Sequence, residues 1–195
     1  QPLYDPFCGS GTIVIEAAQI AAGIPPGAQR RFGFERLLGH DAQAWERTRA
    51  DAMRGAAAAG APIAASDAAE REVAQARINA KRAGLAESAI RLSVADALRA
   101  PPPFEPPAMI VTNPPYGERS RIDADRDQQA AIERWGMALK HRYGGWTVAV
   151  LSSDLQLARR LGIKALRRTP LYNGPIECRL FSARILPPFA SRSAT

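Results

Sequence analysis

Leu3-Tyr4-Asp5-Pro6-Phe7-Cys8-Gly9-Ser10-Gly11-Thr12 runs from an apolar strand end through a glycine turn into an apolar helix that extends from Thr12 to Ala22. Gly9 and Gly11 let the backbone approach a ligand closely at a helix N-terminus, where unpaired N–H groups favour electron-rich partners. Gly23, Pro25, Pro26 and Gly27 end the helix. Strand, turn and helix in that order open an α/β fold, whose ligands sit beyond the carboxyl ends of the strands. Leu3 to Asp5 reads as the last turn of a strand cut into an existing domain, so further chain is expected before Gln1.

Working outward, residues 25–40 read as a loop and Asp41 to Ala59 as a helix with Asp41 as its N-cap, together an insertion. Pro62 to Ser66 is a strand ending at Asp67, followed by a helix to about Ala83 that Gly84 closes. A short strand, Ile90 to Val94, leads to Asp96. After the Pro101 to Pro107 loop, the apolar strand Ala108 to Thr112 runs into Asn113-Pro114-Pro115-Tyr116. Helices are expected at Asp125 to Tyr143 and Asp154 to Leu161, and strands at Trp146 to Leu151, Ala165 to Thr169 and Cys178 to Arg184. This alternation predicts a mostly parallel sheet with helices on both faces. Residues 1–186 form one domain, and 187–195 a disordered tail.

Composition narrows the function. The chain has 195 residues, suited to one domain, and no apolar run long enough to span a bilayer. Ile13 to Ile24 is apolar but lacks a basic leader, which argues against secretion and for a cytoplasmic protein without a membrane partner. Cys8 and Cys178 are isolated, read as buried small hydrophobes, and with His40 and His141 assemble neither a disulfide framework nor a metal site. The net charge of +7 is uneven: residues 1–118 hold 12 Lys and Arg against 13 Asp and Glu, whereas residues 119–195 hold 14 against 6. A basic half of this kind suits a polyanionic partner.

Three successive strand ends carry polar groups in order. After the Gly9-Ser10-Gly11 turn comes Asp67, whose carboxylate can accept hydrogen bonds from two vicinal ribose hydroxyls, or else cap its helix. Asp96 can hold an adenine amino group. A dinucleotide site is disfavoured, because Val14 stands where a third glycine is needed, and no Gly-Lys-Ser/Thr follows for a phosphate loop. A nucleoside-shaped ligand without phosphates fits, which describes S-adenosylmethionine.

The fourth strand end, Asn113-Pro114-Pro115-Tyr116, is stiffened by two prolines. A base's exocyclic amine is a poor nucleophile because its lone pair is delocalised into the ring. The Asn113 amide oxygen and the Pro114 carbonyl can each accept one of its hydrogens, turning the nitrogen toward tetrahedral geometry. Tyr116 can stack on a base swung out of its helix or loop.

Asp5 to Thr12, Asp67, Asp96 and Asn113 to Tyr116 resemble the motifs of class I methyltransferases acting on amino groups of nucleic-acid bases. With Arg31-Phe32-Gly33-Phe34-Glu35-Arg36, Thr112 to Arg119, Gly144-Gly145-Trp146 and Leu171 to Cys178, nearly the whole chain resembles the THUMP-associated bacterial 23S ribosomal RNA guanine-N2 methyltransferases. The resemblance implies a Rossmann-like, seven-stranded sheet whose last strand is antiparallel, making residues 1–186 a methyltransferase catalytic domain. It implies S-adenosylmethionine as cofactor, with Asp5, Phe7, Cys8, Gly9, Ser10, Gly11 and Thr12 around its methionine part, Asp67 at the ribose and Asp96 at the adenine. Asn113 lies on both the cofactor and the catalytic side, with Pro114 and Tyr116 catalytic. Pro115, Tyr116 and Arg119 face the substrate, and Arg119 either holds a phosphate or forms an exposed salt bridge. The Leu171 to Cys178 motif either faces the substrate or simply forms a hairpin. The family's THUMP region, the helix before its first motif and the second methyltransferase domain of some relatives do not match any part of this sequence.

Asn-Pro-Pro-Tyr is shared with adenine-N6 methylases of DNA or RNA, which keeps that activity as an alternative. A non-catalytic nucleic-acid binding module is a second alternative, disfavoured by the intact Gly9, Gly11, Asp67 and Asn113. A nicotinamide oxidoreductase is disfavoured by Val14.

Overall fold

The computed structural model describes residues 1–28, 30–54, 60–114, 122–163 and 167–186. Seven strands form one sheet: β1 (Leu3–Asp5), β2 (Ile63–Asp67), β3 (Arg91–Val94), β4 (Met109–Thr112), β5 (Thr147–Ser152), β6 (Arg167–Asn173) and β7 (Ile176–Arg184), in the order β3-β2-β1-β4-β5-β7-β6. The pairs from β3 across to β5 are parallel, and β7 runs antiparallel to both its neighbours. The strand order turns back at β1, with β2 and β3 on one side of it and β4 and β5 on the other, so the carboxyl ends of β1 and β4 flank the switch point at which such sheets usually bind ligands.

Residues alternate between the two faces, as strand geometry requires. Ile63 and Ala65 pack with Cys8, Val14 and Ala18 on the side of α1 (Thr12–Ala21), and this cluster draws in Ala80 of α3 (Glu70–Arg82). Tyr4, Ala64, Ile110, Val148, Val150 and Phe181 face the other way. They meet Trp135 and Leu139 of α4 (Ile122–Arg142) and Leu157 and Leu161 of α5 (Leu157–Leu161). Trp135, Tyr143 and Trp146 are fully buried. Such aromatic side chains each bury on the order of 150–250 Å², and Tyr143 stacks on Tyr4 while meeting Trp146 edge-on. The second face is therefore the heavier part of the core.

The insertion contains α2 (Ala42–Met53), capped as expected by Asp41, whose Oδ1 accepts the Ala44 N–H at 2.9 Å. α2 is shorter than the Asp41 to Ala59 expectation: Arg54 is its C-cap, and residues 55–59 lie outside the described residues. It buries no residue of its own, and Trp45 instead meets Phe32 and Phe34 edge-on. The preceding loop holds a short 3-10 turn, Gly33–Arg36, because the Glu35 side chain accepts the Phe32 N–H at 2.7 Å. Strands β6 and β7 both reach further toward each other than Ala165 to Thr169 and Cys178 to Arg184, and they meet in a two-residue turn at Gly174 and Pro175. Their exposed tips have no core periodicity to mark them in the sequence.

Candidate functional site

The carboxyl ends of β1, β2 and β4 are bound together by side chains. Asp5 ends β1 at 1% exposure, and its Oδ1 accepts both the Phe7 N–H at 3.0 Å and the Thr112 hydroxyl at 2.6 Å. Thr112 is the last residue of β4 and the immediate neighbour of Asn113, so the first and fourth strand ends share one hydrogen-bonded joint. Burial raises the Asp5 carboxyl to about 6, with the two donors pulling it down and Asp67 pushing it up. Asp5 thus lies beneath the glycine loop and supports it.

Asp67 ties the loop to β2. Its Oδ2 accepts the Gly9 N–H at 3.0 Å and its Oδ1 accepts the Ala69 N–H at 3.0 Å, just ahead of α3. The two readings of Asp67 in the sequence, helix entry and ligand acceptor, are compatible. A carboxylate has about four lone-pair sites, and two remain for ribose hydroxyls. The Cys8 N–H donates to the Ser66 carbonyl at 3.0 Å, and Tyr4 and Ser66 share a 2.6 Å hydrogen bond between their hydroxyls.

The two glycines of the turn differ. A Cβ on Gly9 would meet no atom within 4 Å, so this side of the loop is open space in which a ligand can lie against the backbone. A Cβ on Gly11 would come within 3.0 Å of the Ala76 Cβ, so Gly11 serves the approach of α3 to α1. Phe7 turns inward to meet Trp135 edge-on at 5.0 Å, and Cys8 is buried, its thiol pushed up to about 12 by desolvation. Cys8 is therefore no nucleophile. Ser10 and Thr12 are exposed, and the Ser10 carbonyl accepts from Asn79 Nδ2 at 2.9 Å.

Asp96 lies two residues past β3 beside Asp67, the Ala95 N–H donating to the Asp67 carbonyl at 2.9 Å. Its side chain is exposed and accepts the Leu98 N–H at 2.8 Å. Asn113 Oδ1 is buried and, among the described residues, has no hydrogen-bond partner. Pro114 is buried beside it. Pro115, Tyr116 and Arg119 lie outside the described residues. Among the described residues, no three His, Cys, Asp or Glu side chains gather as a metal ion would require, and no helix is long and apolar enough to cross a membrane.

The chain matches a known family model, UPF0020, described as the RMKL-like methyltransferase domain, over residues 1–182. The chain belongs to that family. Among curated relatives of this RMKL-like domain, a protein of Shewanella loihica named "Ribosomal RNA large subunit methyltransferase K/L" is 44% identical over 181 residues. The namesake of Shewanella oneidensis is 42% identical. These matches cover 90% of the chain but only 25% of each relative, so the chain spans about a quarter of their length.

The fold is that of class I methyltransferases, and solved structures agree with it. SMU.472, solved as a complex with SAH, has a TM-score of 0.85 at 31% identity, over 94% of this chain and 48% of its own. A protein of Listeria monocytogenes named a predicted N6-adenine-specific DNA methylase has a TM-score of 0.82 at 32% identity, over 93% of this chain and 46% of its own.

The joint residues Thr112, Tyr4, Ser66 and Asn79 carry no role in the sequence reading. Their one sequence signal is position: Thr112 and Ser66 are small hydroxyl residues ending apolar strands immediately before Asn113 and Asp67. What they bind is far away along the chain.

Proposed function

We propose that this RMKL-like domain transfers a methyl group from S-adenosylmethionine to the exocyclic N2 amine of a guanine in 23S ribosomal RNA, in the cytoplasm. The observation that carries the reading is Asn113 Oδ1. Leaving a buried acceptor unpaired costs on the order of 1–3 kcal/mol, a cost that a site retains when a ligand supplies the missing donor. An amino group is such a donor.

The residues fit the cofactor, given the open face of Gly9 and the free lone pairs of Asp67. When bound, S-adenosylmethionine supplies an electrophilic methyl group on a sulfonium sulfur. Gly9 and its loop neighbours lie along the methionine part, Asp67 holds the ribose hydroxyls and Asp96 the adenine amine. Asn113 Oδ1 accepts one hydrogen of the guanine amine and the Pro114 carbonyl accepts the other. This pair of acceptors would localise the nitrogen lone pair and orient it, and the transfer would exchange the sulfur–methyl bond for a nitrogen–methyl bond, releasing S-adenosylhomocysteine and one amine proton. Tyr116 and Pro115 wall the flipped base, and Arg119 takes a flanking phosphate. Asp5 and Thr112 act through Asn113, holding the end of β4 against the cofactor loop.

Methyl transfer from labelled S-adenosylmethionine to protein-free ribosomal RNA or to DNA, followed by nucleoside identification, tests this. N2-methylguanosine from RNA, abolished by Asn113→Ala, is expected. N6-methyladenine would replace the guanine reading with the adenine one, which the name of the Listeria structure favours. Cofactor binding without transfer to either nucleic acid would favour a binding module.

A further inference from the structure

The β6–β7 hairpin stands beyond the sheet at the catalytic end. β5 stops at Ser152, opposite Arg179, and β7 continues past it through Cys178, Glu177 and Ile176. At about 3.3 Å per residue the hairpin projects roughly 10 Å beyond the strand ends that carry the site. Thr112 is level with Val150, so Asn113 faces the foot of this projection, three strand positions away from β6. Strands lie about 4.8 Å apart, which puts the hairpin tip on the order of 15 Å to one side of the target base.

Every residue from Pro170 to Glu177 is exposed, among them Leu171, Tyr172 at 75% and Ile176. An apolar and aromatic tip kept in solvent is the mark of a binding surface. Arg168, Pro170 and Tyr172 alternate onto one face of the edge strand, and Arg167 is exposed at its start on the opposite face. Cations along the strand and an aromatic ring at its tip match the way single-stranded nucleic acid is held, by phosphate contacts and base stacking. Pro170 has no N–H to offer, and with the two arginines it makes this edge a poor partner for another strand. The basic half of the sequence contains the hairpin, which supplies the charge complementarity.

We infer that the β6–β7 hairpin docks the single-stranded RNA flanking the target base, with Tyr172 stacking on a neighbouring base and Arg167 and Arg168 contacting phosphates. The inference rests on the RNA reading above and adds the residues that select and hold the flanking segment.

Three measurements test it on wild type, Tyr172→Ala, Tyr172→Phe and the Arg167→Ala/Arg168→Ala double variant. They are binding of a fluorescein-labelled single-stranded ribosomal RNA oligonucleotide across a salt series, S-adenosylmethionine affinity, and methyl-transfer kinetics. Tyr172→Ala should weaken RNA binding and raise the RNA KM roughly tenfold, with kcat and cofactor affinity unchanged, and Tyr172→Phe should restore both. The double arginine variant should lower the slope of log K against log salt by about 1.4, for two phosphates on a single strand. RNA affinity and salt slope equal to wild type in Tyr172→Ala and the double variant would overturn the inference. So would loss that follows cofactor affinity and persists in Tyr172→Phe, since that marks misfolding. An N6-methyladenine product would sink the guanine assignment while the hairpin stands, provided Tyr172→Ala still weakens RNA binding. Self-association of wild type that Tyr172→Ala abolishes, with RNA binding unaltered, would reassign the hairpin to a protein interface.

Discussion

The Thr112 hydroxyl donates to Asp5 Oδ1 at 2.6 Å across a sequence separation of 107 residues. It couples the glycine loop that follows β1 to the end of β4 in one buried joint. Thr112→Val keeps the volume and removes the donor. Stability should fall by about 1–3 kcal/mol in urea denaturation, as expected for a buried carboxylate that loses a partner. kcat should fall with it, since Asn113 follows directly on the residue released. Because the hydroxyl lowers the Asp5 carboxyl, its loss should move the Asp5 titration further above about 6.

Asp5 should make the fold pH-dependent. Its carboxyl is raised from 3.8 to about 6 by burial, so the folded protein holds this proton more tightly than the unfolded chain. The associated stability is full below pH 3.8 and is lost as pH rises through about 6. At about 1.4 kcal/mol per pH unit the loss is on the order of 3 kcal/mol. Asp5→Asn keeps an oxygen for both donors, and its stability, compared with wild type at pH 4.5 and 7.5, should gain only at the higher pH.

Asn113→Ala should separate stability from activity. Removing a buried acceptor that lacks a partner should leave the melting temperature unchanged or higher. Methyl transfer should drop on the order of 100-fold or more, while S-adenosylmethionine affinity stays within a factor of about three of wild type. A matched drop in melting temperature and transfer would show instead that Asn113 is structural.

Gly9 and Gly11 should fail in different ways. Gly11→Ala places a methyl group 3.0 Å from the Ala76 Cβ at φ +88°, and should cost about 1–3 kcal/mol of stability. Gly9→Ala enters open space at φ +50°, so its cost to the fold is only the backbone strain of about 1 kcal/mol. Its methyl group occupies the cofactor side, and calorimetry should find S-adenosylmethionine binding weakened on the order of tenfold, or about 1.4 kcal/mol.

Asp67 and Asp96 illustrate what could be read in advance. Asp67 was legible as an acid ending an apolar run of strand length, and Asp96 as an acid just past the short alternating strand Ile90 to Val94. The structure adds that Asp67 already holds the Gly9 N–H, so one side chain shapes the loop that it also serves. The Leu171 to Cys178 motif was legible only as a pattern of residue types. Whether it lay at the catalytic end depended on β7 pairing with β5 and passing its end, which no local signal encodes.

Taken alone, the sequence determined the element order, the mostly parallel α/β class, the glycine turn and the position of Asn113 and Pro114 at the end of the fourth strand. Periodicity, glycine and proline act over a few residues, and those features are local. Only the tertiary structure decided that Asp5 meets Thr112, that Gly11 serves helix packing while Gly9 faces open space, that Asn113 Oδ1 is buried without a partner among the described residues, and that Tyr172 stands exposed on a hairpin tip beyond the end of β5. Each of these depends on which strands lie side by side and how far each extends, a choice made by burial of the whole core and not by any one segment.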